Sequence, residues 1–305
     1  MFGLLEGKCA VITGAGRGQG RAIALAMAEE GVNVVVNDLG GEADGTGANH
    51  GPADGVVAEI KKAGGTAVAS YDSVADFTGA ERIISSCVNA FGKIDILVNC
   101  AGIIAPSRVP FWETRKEDWD TVIPVNLNGT FNTCRHAAGY MVKQQKGRII
   151  NFSSPAWLGM IAGAYAASKG GVVSFTTAMA QTFIMEGYDI TCNSLVPIAE
   201  TRMSPRRGAE YNDRLFQPGL MGQQLYEESS NPPGPEHIPP IMLYLATDQA
   251  VGITGQVFGS SRGRMALYSR PKETKGLYKD GVWTLDELVR RFPATLAQDM
   301  PKKVG

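Results

Sequence analysis

Tyr165 and Lys169 stand four residues apart in Tyr165-Ala-Ala-Ser-Lys169, and far upstream a short apolar run leads into Thr13-Gly14-Ala15-Gly16-Arg17-Gly18-Gln19-Gly20. Residues at i and i+4 share a helix face, so the ammonium would lie beside the phenol and favour its anion. A phenol with a pKa of about 10 is a weak base at neutral pH and needs such help. Moving a hydride to or from a carbinol carbon requires a proton to leave or join its oxygen, and an assisted tyrosine suits that task. A glycine turn between strand and helix lets backbone approach a pyrophosphate, whose charge the helix N-terminus attracts. Together the two motifs point to hydride chemistry at a carbon bearing oxygen.

A bare Tyr-x-x-x-Lys is as readily an ordinary pair on a helix surface, so its neighbours must decide. Ser153-Ser154 ends a predicted strand a short loop before Tyr165. A serine hydroxyl there, of Ser153 or Ser154, can hydrogen-bond a substrate oxygen and orient it toward the phenol. Pro155 holds Ser154 to extended geometry. Asn126, in Val125-Asn-Leu-Asn-Gly129 on a predicted helix, is the candidate for a water relay from the lysine to solvent, or else a helix-bending amide.

Gly14, Arg17, Gly18, Gln19 and Gly20 are the first candidate cofactor contacts. The second predicted strand ends at Asn37-Asp38, where a carboxylate can accept from an adenosine ribose and repel a 2′-phosphate; Asp38 therefore favours NAD over NADP. Arg17 pulls the other way, since a guanidinium in the turn could meet a 2′-phosphate. Asp72, beside Ser73 after the third strand, is a candidate for the adenine amine or for a helix N-cap. Asn99-Cys-Ala101-Gly102 closes the fourth strand with small residues where a ligand would cross the sheet.

Short apolar runs alternate with amphipathic stretches, which predicts βαβ units. Strands are expected at 10–13, 32–37, 66–70, 94–99, 148–153, 190–196 and 256–258, and helices at 20–30, 52–62, 75–91, 116–143, 164–186 and near 237–246. Strands as apolar as Asn33-Val-Val-Val36 suit a sheet covered on both faces. The fold class is therefore α/β: a single doubly wound Rossmann domain with a seven-stranded, mostly parallel sheet over residues 1–262. Residues 39–55 are a loop insertion rich in Gly, Asp and Asn. Residues 203–236 are polar but carry Tyr211, Phe216, Leu220, Met221, Leu225 and Tyr226, which suits a substrate lid. Residues 263–305 form a C-terminal extension in which Thr284-Leu-Asp-Glu287 is a capping box, with Leu285, Leu288, Val289 and Phe292 at helical spacing.

Over 305 residues, Lys+Arg 29 against Asp+Glu 30 leaves a net charge of -1, so no basic field recruits nucleic acid or an anionic membrane. The five cysteines are scattered without a CxxC pair, and their odd number argues against a disulfide framework and for a reducing cytoplasm. Met1-Phe-Gly-Leu-Leu-Glu-Gly-Lys8 lacks a basic stretch followed by an apolar one, and no run of about 18 apolar residues occurs, so neither secretion nor a membrane span is expected. His50, His136 and His237 lie far apart without metal-ligand spacing, and no metal site is expected.

Five ordered motifs make the stretch from about Leu5 to Gly259 resemble a short-chain dehydrogenase/reductase: TGxxxGxG at Thr13 to Gly20, NCAG in place of the usual NNAG, Asn126, YxxxK, and Pro197 with Thr201 after the sixth strand. The resemblance implies a catalytic tetrad of Asn126, a serine, Tyr165 and Lys169. It also implies contact of Thr201 with the nicotinamide carboxamide, and association into tetramers or dimers. The family serine usually lies about 13 residues before the tyrosine and is commonly the second of the pair; here Ser154 is 11 before and Ser153 is 12, and the resemblance implies Ser154, with Ser153 the alternative. Val34-Val-Val-Asn-Asp-Leu-Gly-Gly41 and Ala69-Ser-Tyr-Asp-Ser-Val74 further resemble the dehydrogenase domain of peroxisomal multifunctional enzymes and their bacterial relatives. That narrower resemblance implies a 3-hydroxyacyl-CoA, with a hydroxysteroid or other lipophilic alcohol as the alternative small-molecule substrate. Arg206, Arg207 and Arg214 are candidates for CoA phosphates or solvated loop cations. A dinucleotide-binding scaffold without catalysis is the alternative from another class.

Overall fold

The computed structural model describes residues 3–105, 109, 111–159, 163–203 and 208–299; Arg206, Arg207 and part of the loop between Pro155 and Ala164 lie outside the described residues. The apolar runs become β1 (Cys9–Thr13), β2 (Asn33–Asn37), β3 (Ala67–Ser70), β4 (Ile96–Asn99), β5 (Lys146–Phe152), β6 (Asp189–Pro197) and β7 (Val257–Ser261). Between them run α1 (Gly18–Glu29), α2 (Gly51–Lys62), α3 (Phe77–Phe91), α4 (Lys116–Ile123), α5 (Gly129–Gln144) and α6 (Ala164–Met185). Then come α7 (Gly208–Phe216), α8 (Gln223–Ser230) and α9 (Pro239–Ala246). The strand order is β3-β2-β1-β4-β5-β6-β7-β8, parallel except that β8 (Arg264–Leu267) runs antiparallel to β7.

Burial on both faces explains why alternation is absent from the strand sequences. Ile12, Val34 and Val36 pack with Ile23 of α1, Ile60 of α2 and Leu245 of α9 in one layer. Val11, Val35 and Leu97 pack with Ile84 of α3, Met141 of α5 and Phe183 of α6 in the other. The chain turns outward in opposite directions from β1 and β4, which pair Thr13 with Asn99 at their carboxyl ends. A crevice opens at such a reversal, and the glycine turn lies in it.

Three expectations are corrected. The described sheet has eight strands, because four residues after the Arg262-Gly263 turn fold back on β7; so short a ribbon has no periodic signature of its own. The helix expected over 116–143 is broken into α4 and α5 by a π turn at Pro124–Asn128. Pro124 has no N–H to donate and crowds the carbonyl one turn back, and a wider turn absorbs both. Helix α3 starts at Phe77 and its N-cap is Asp76, which accepts from Gly79 N at 2.8 Å, so Asp72 is not that cap. The region expected as a lid also contains α7 and α8, stapled by Tyr226 Oη donating to Asp213 Oδ1 at 2.6 Å and by Phe216 stacked on Tyr226.

The chain divides into two compact units, Met1–Tyr268 and Ser269–Gly305. In the second, α10 (Leu285–Arg291) has Thr284 as N-cap, with both bonds of the capping box formed to Glu287. Lys279 pairs with Glu287 at 2.7 Å, and Leu285 and Val289 are exposed. No helix among the described residues is long and apolar enough to cross a membrane.

Candidate functional site

The glycine turn is shaped by two close approaches. At Gly14, φ is +66° and a Cβ would lie 2.8 Å from Ala101 Cα; at Gly20 it would lie 2.2 Å from the Gly14 carbonyl oxygen. No side chain fits either place, so β1, β4 and the start of α1 converge on bare backbone. Asp38, one residue past β2, accepts from Gly16 N through Oδ2 at 2.8 Å and from Gly40 N through Oδ1 at 2.7 Å. Those bonds fix the carboxylate at the turn. Arg17 reaches away from it and donates to the Gly41 carbonyl at 3.1 Å.

A cleft of about 790 Å3 runs past this turn and is lined by Gly14, Arg17, Gly18, Gln19, Gly20 and Asp38. Asp72, Ser73, Ala101, Gly102, Pro197 and Thr201 also line it. Asp72 is held there by Arg82, whose Nη2 lies 2.6 Å from Oδ1, and Ser73 Oγ accepts from Ala75 N at 3.2 Å. Asn99 is buried and is not among the residues that line the cleft. Its side chain donates to Asn151 Oδ1 at 2.9 Å and accepts from Thr133 Oγ1 at 2.7 Å, which ties two strands to α5.

Ser154, Tyr165 and Lys169 line the same cleft. Gly163, at φ +85°, turns the chain into α6, whose first two turns carry the tyrosine and lysine on one face. Ser153 Oγ donates to the Lys169 carbonyl at 2.9 Å, so that hydroxyl is spent in the interior. Ser154 Oγ accepts from Ala156 N at 3.3 Å and bonds the Tyr165 side chain. Lys169 Nζ donates to the Phe152 carbonyl at 2.9 Å and lies 5.8 Å from the centre of the Tyr165 ring. Asn126 is wholly buried; its Oδ1 accepts from Ile103 N at 2.9 Å and its Nδ2 donates to Ile103 O at 3.0 Å. Its own carbonyl, in the π turn, accepts from Thr130 Oγ1 at 2.9 Å.

Burial governs the acid–base balance. It pushes the Tyr165 phenol above its ordinary pKa, against an opposing hydrogen bond from Ser154. It pulls Lys169 down to about 8, because a buried ammonium loses hydration, and the neighbouring Cys100 only partly counters this. An ammonium at i+4 is expected to draw the phenol down; in the fold, desolvation is the larger influence and the shift runs upward.

The model of the short chain dehydrogenase family matches residues 8–212. The chain belongs to that family. It is 41% identical over 257 residues to the peroxisomal hydratase-dehydrogenase-epimerase of Saccharomyces cerevisiae, covering 83% of this chain and 26% of that protein. The chain thus spans about a quarter of that relative's length. A short chain dehydrogenase structure from Mycobacterium avium superposes with a TM-score of 0.80 at 35% identity, covering 99% of this chain and 98% of that one. Another, from Mycobacterium paratuberculosis and bound to NAD, gives 0.72 at 29% identity, with 86% and 98% covered.

For a short chain dehydrogenase, the cleft has a further wall that sequence reasoning missed. Gly41, Glu42, Gly45, Ile103 and Arg202 also line it. The 39–55 insertion was visible as composition, but nothing in it indicated which way the loop folds. Arg202 follows Thr201 directly and had no motif of its own. In the 203–236 region, Tyr211 and Met221 face the cleft, whereas Leu220 is exposed and Arg214 does not line it.

Proposed function

We propose that the chain is an NAD-dependent dehydrogenase interconverting a secondary alcohol and a ketone, with 3-hydroxyacyl-CoA thioesters as its substrates. The observation that carries this reading is the meeting of Ser154 and Tyr165 in a cleft that the glycine turn and Asp38 also line. Gly14, Gly18, Gln19 and Gly20 would hold the pyrophosphate and Asp38 the adenosine ribose. Asp72 and Ser73 would flank the adenine, and Ala101, Gly102, Pro197 and Thr201 would hold the nicotinamide end. The close approach of backbone at Gly14 and Gly20 and the anchored carboxylate fit that group. NAD, when bound, accepts the hydride.

In the oxidising direction Tyr165, as phenolate, takes the hydroxyl proton while the C–H bond's electron pair leaves with hydrogen and the C=O bond forms. Ser154 donates to the substrate oxygen and holds it toward the phenol. Lys169 is the cation that favours the phenolate, and Asn126 orders the buried polar path behind it. The residues framing α7 and α8 form the substrate lid. The enzyme is read as cytoplasmic and as a homo-oligomer of two or four chains. Free cysteines and the exposed Trp119, Phe131, Ile184 and Met185 on α4 to α6 support those readings.

Tyr165→Phe is expected to leave NADH binding by fluorescence titration intact and to lower kcat by at least about 1000-fold. A near-normal rate would refute the assignment. Comparing kcat/KM for a 3-hydroxyacyl-CoA and a 17β-hydroxysteroid tests the substrate class; preference for the steroid, or inactivity on both, removes the thioester.

A further inference from the structure

The 39–49 loop is folded by its own bonds. Asn49 N donates to the Leu39 carbonyl at 3.0 Å and Glu42 N to the Thr46 carbonyl at 2.7 Å. Gly40, at φ +77°, lies so close to the Asn49 carbonyl that a Cβ would stand 1.7 Å from its oxygen, so the base of the loop is pinched shut. One side docks beside the chemical site. Ile104 N donates to the Ala43 carbonyl at 3.1 Å, and Gly45 abuts the side chain of Ile103, whose backbone Asn126 grips from behind.

Two arginines from distant segments reach Gly41 of the loop. Arg202 comes from beyond the carboxyl end of β6, next to Thr201, and its Nη2 donates to the Gly41 carbonyl at 2.8 Å. Its Nη1 lies 3.4 Å from Glu42 Oε2. Arg17, from the glycine turn beneath, donates to the same carbonyl. Gly14, Gly18, Gly41, Glu42, Gly45 and Arg202 all line the cleft, and the Arg202 side chain ties the loop to the segment that follows β6.

We propose that Arg202 latches the 39–49 loop over the dinucleotide cleft and thereby sets the rate of cofactor exchange. It is a positioning residue: it acts on the loop, and the loop retains the cofactor. The Gly41 bond carries the effect, because a partly exposed Arg–Glu pair contributes little while a guanidinium hydrogen bond to a fixed carbonyl contributes more. The proposal rests on the NAD reading above.

Stopped-flow fluorescence of NADH release from the full-length protein tests it, beside hydrogen exchange of the loop amides. Arg202→Gln is expected to speed NADH release about tenfold and raise the KM for NAD, with the KM for the alcohol unchanged. Glu42→Gln should change release less than twofold. The Glu42 and Asn49 amides should exchange faster in Arg202→Gln than in the wild type. Unchanged release, or a rise confined to the alcohol KM, overturns the latch. If wild-type protein binds no NADH, the NAD reading falls instead; exchange needs no cofactor, and unchanged loop exchange still overturns the latch.

Discussion

Lys169 shows how one side chain trades stability for chemistry. It is 4% exposed and its pKa is about 8 in the fold, against 10.5 ordinarily. Between those values the unfolded chain binds the extra proton, so stability rises as pH climbs from about 8 to 10.5. Below pH 8 both states are protonated and burying the ammonium costs about 3 kcal/mol, partly offset by its bond to the Phe152 carbonyl. Lys169→Met is therefore expected to raise the thermal midpoint at pH 7 while abolishing turnover. Calorimetry from pH 7 to 10.5 should show the gap from wild type closing. Asp38→Ser should move kcat/KM toward NADP relative to NAD by about tenfold or more, read from initial rates with each cofactor, because the repelling carboxylate is gone. Tyr165, Lys169 and Asp38 were legible in the sequence because each depends on local spacing: one helix face or one strand end. The choice between Ser153 and Ser154 was not, since it turns on which hydroxyl the Lys169 carbonyl takes.

Elements bring these residues together by close backbone approach. Gly14 and Gly47 both have positive φ, but a Cβ at Gly14 meets the Ala101 backbone whereas one at Gly47 meets nothing within 4 Å. Gly14→Ala should then cost about 2–4 kcal/mol and abolish NADH binding, since it adds overpacking to a left-handed backbone. Gly47→Ala should cost only about 1–2 kcal/mol for the backbone alone. Urea titration and NADH fluorescence separate the two. The π turn at Pro124–Asn128 is the second device of this kind. Proline within a helical pattern predicts a break, but not that the break frees Asn126 to clamp Ile103.

Across the whole first unit, the proposed site sits at the carboxyl edge of the sheet and a charge cluster closes the amino edge. Asp248 there meets Lys8 at 2.8 Å and Lys146 at 2.9 Å, with Arg148 3.7 Å away. The two lysines hold its carboxyl at about 2, below the ordinary 3.8. A depressed carboxylate pKa stabilises above the unfolded value, and that contribution disappears as pH falls from about 4 to 2. Asp248→Asn should lower stability at pH 7 by no more than about 1 kcal/mol, since the carboxylate is largely exposed, and leave kcat unchanged. Urea midpoints from pH 7 to 2 should show the mutant and wild type converging in acid. By itself the sequence determined the β/α alternation, the glycine turn, the Tyr165–Lys169 pair and the carboxylate after β2, because each is written in a spacing of a few residues. Tertiary structure alone decided the eighth strand, the interior place of Asn99, the serine that faces Tyr165, and the meeting of Arg202 with Gly41 across 161 positions. Such contacts arise when distant segments pack on one sheet edge, and packing at that range leaves no periodic trace in the chain.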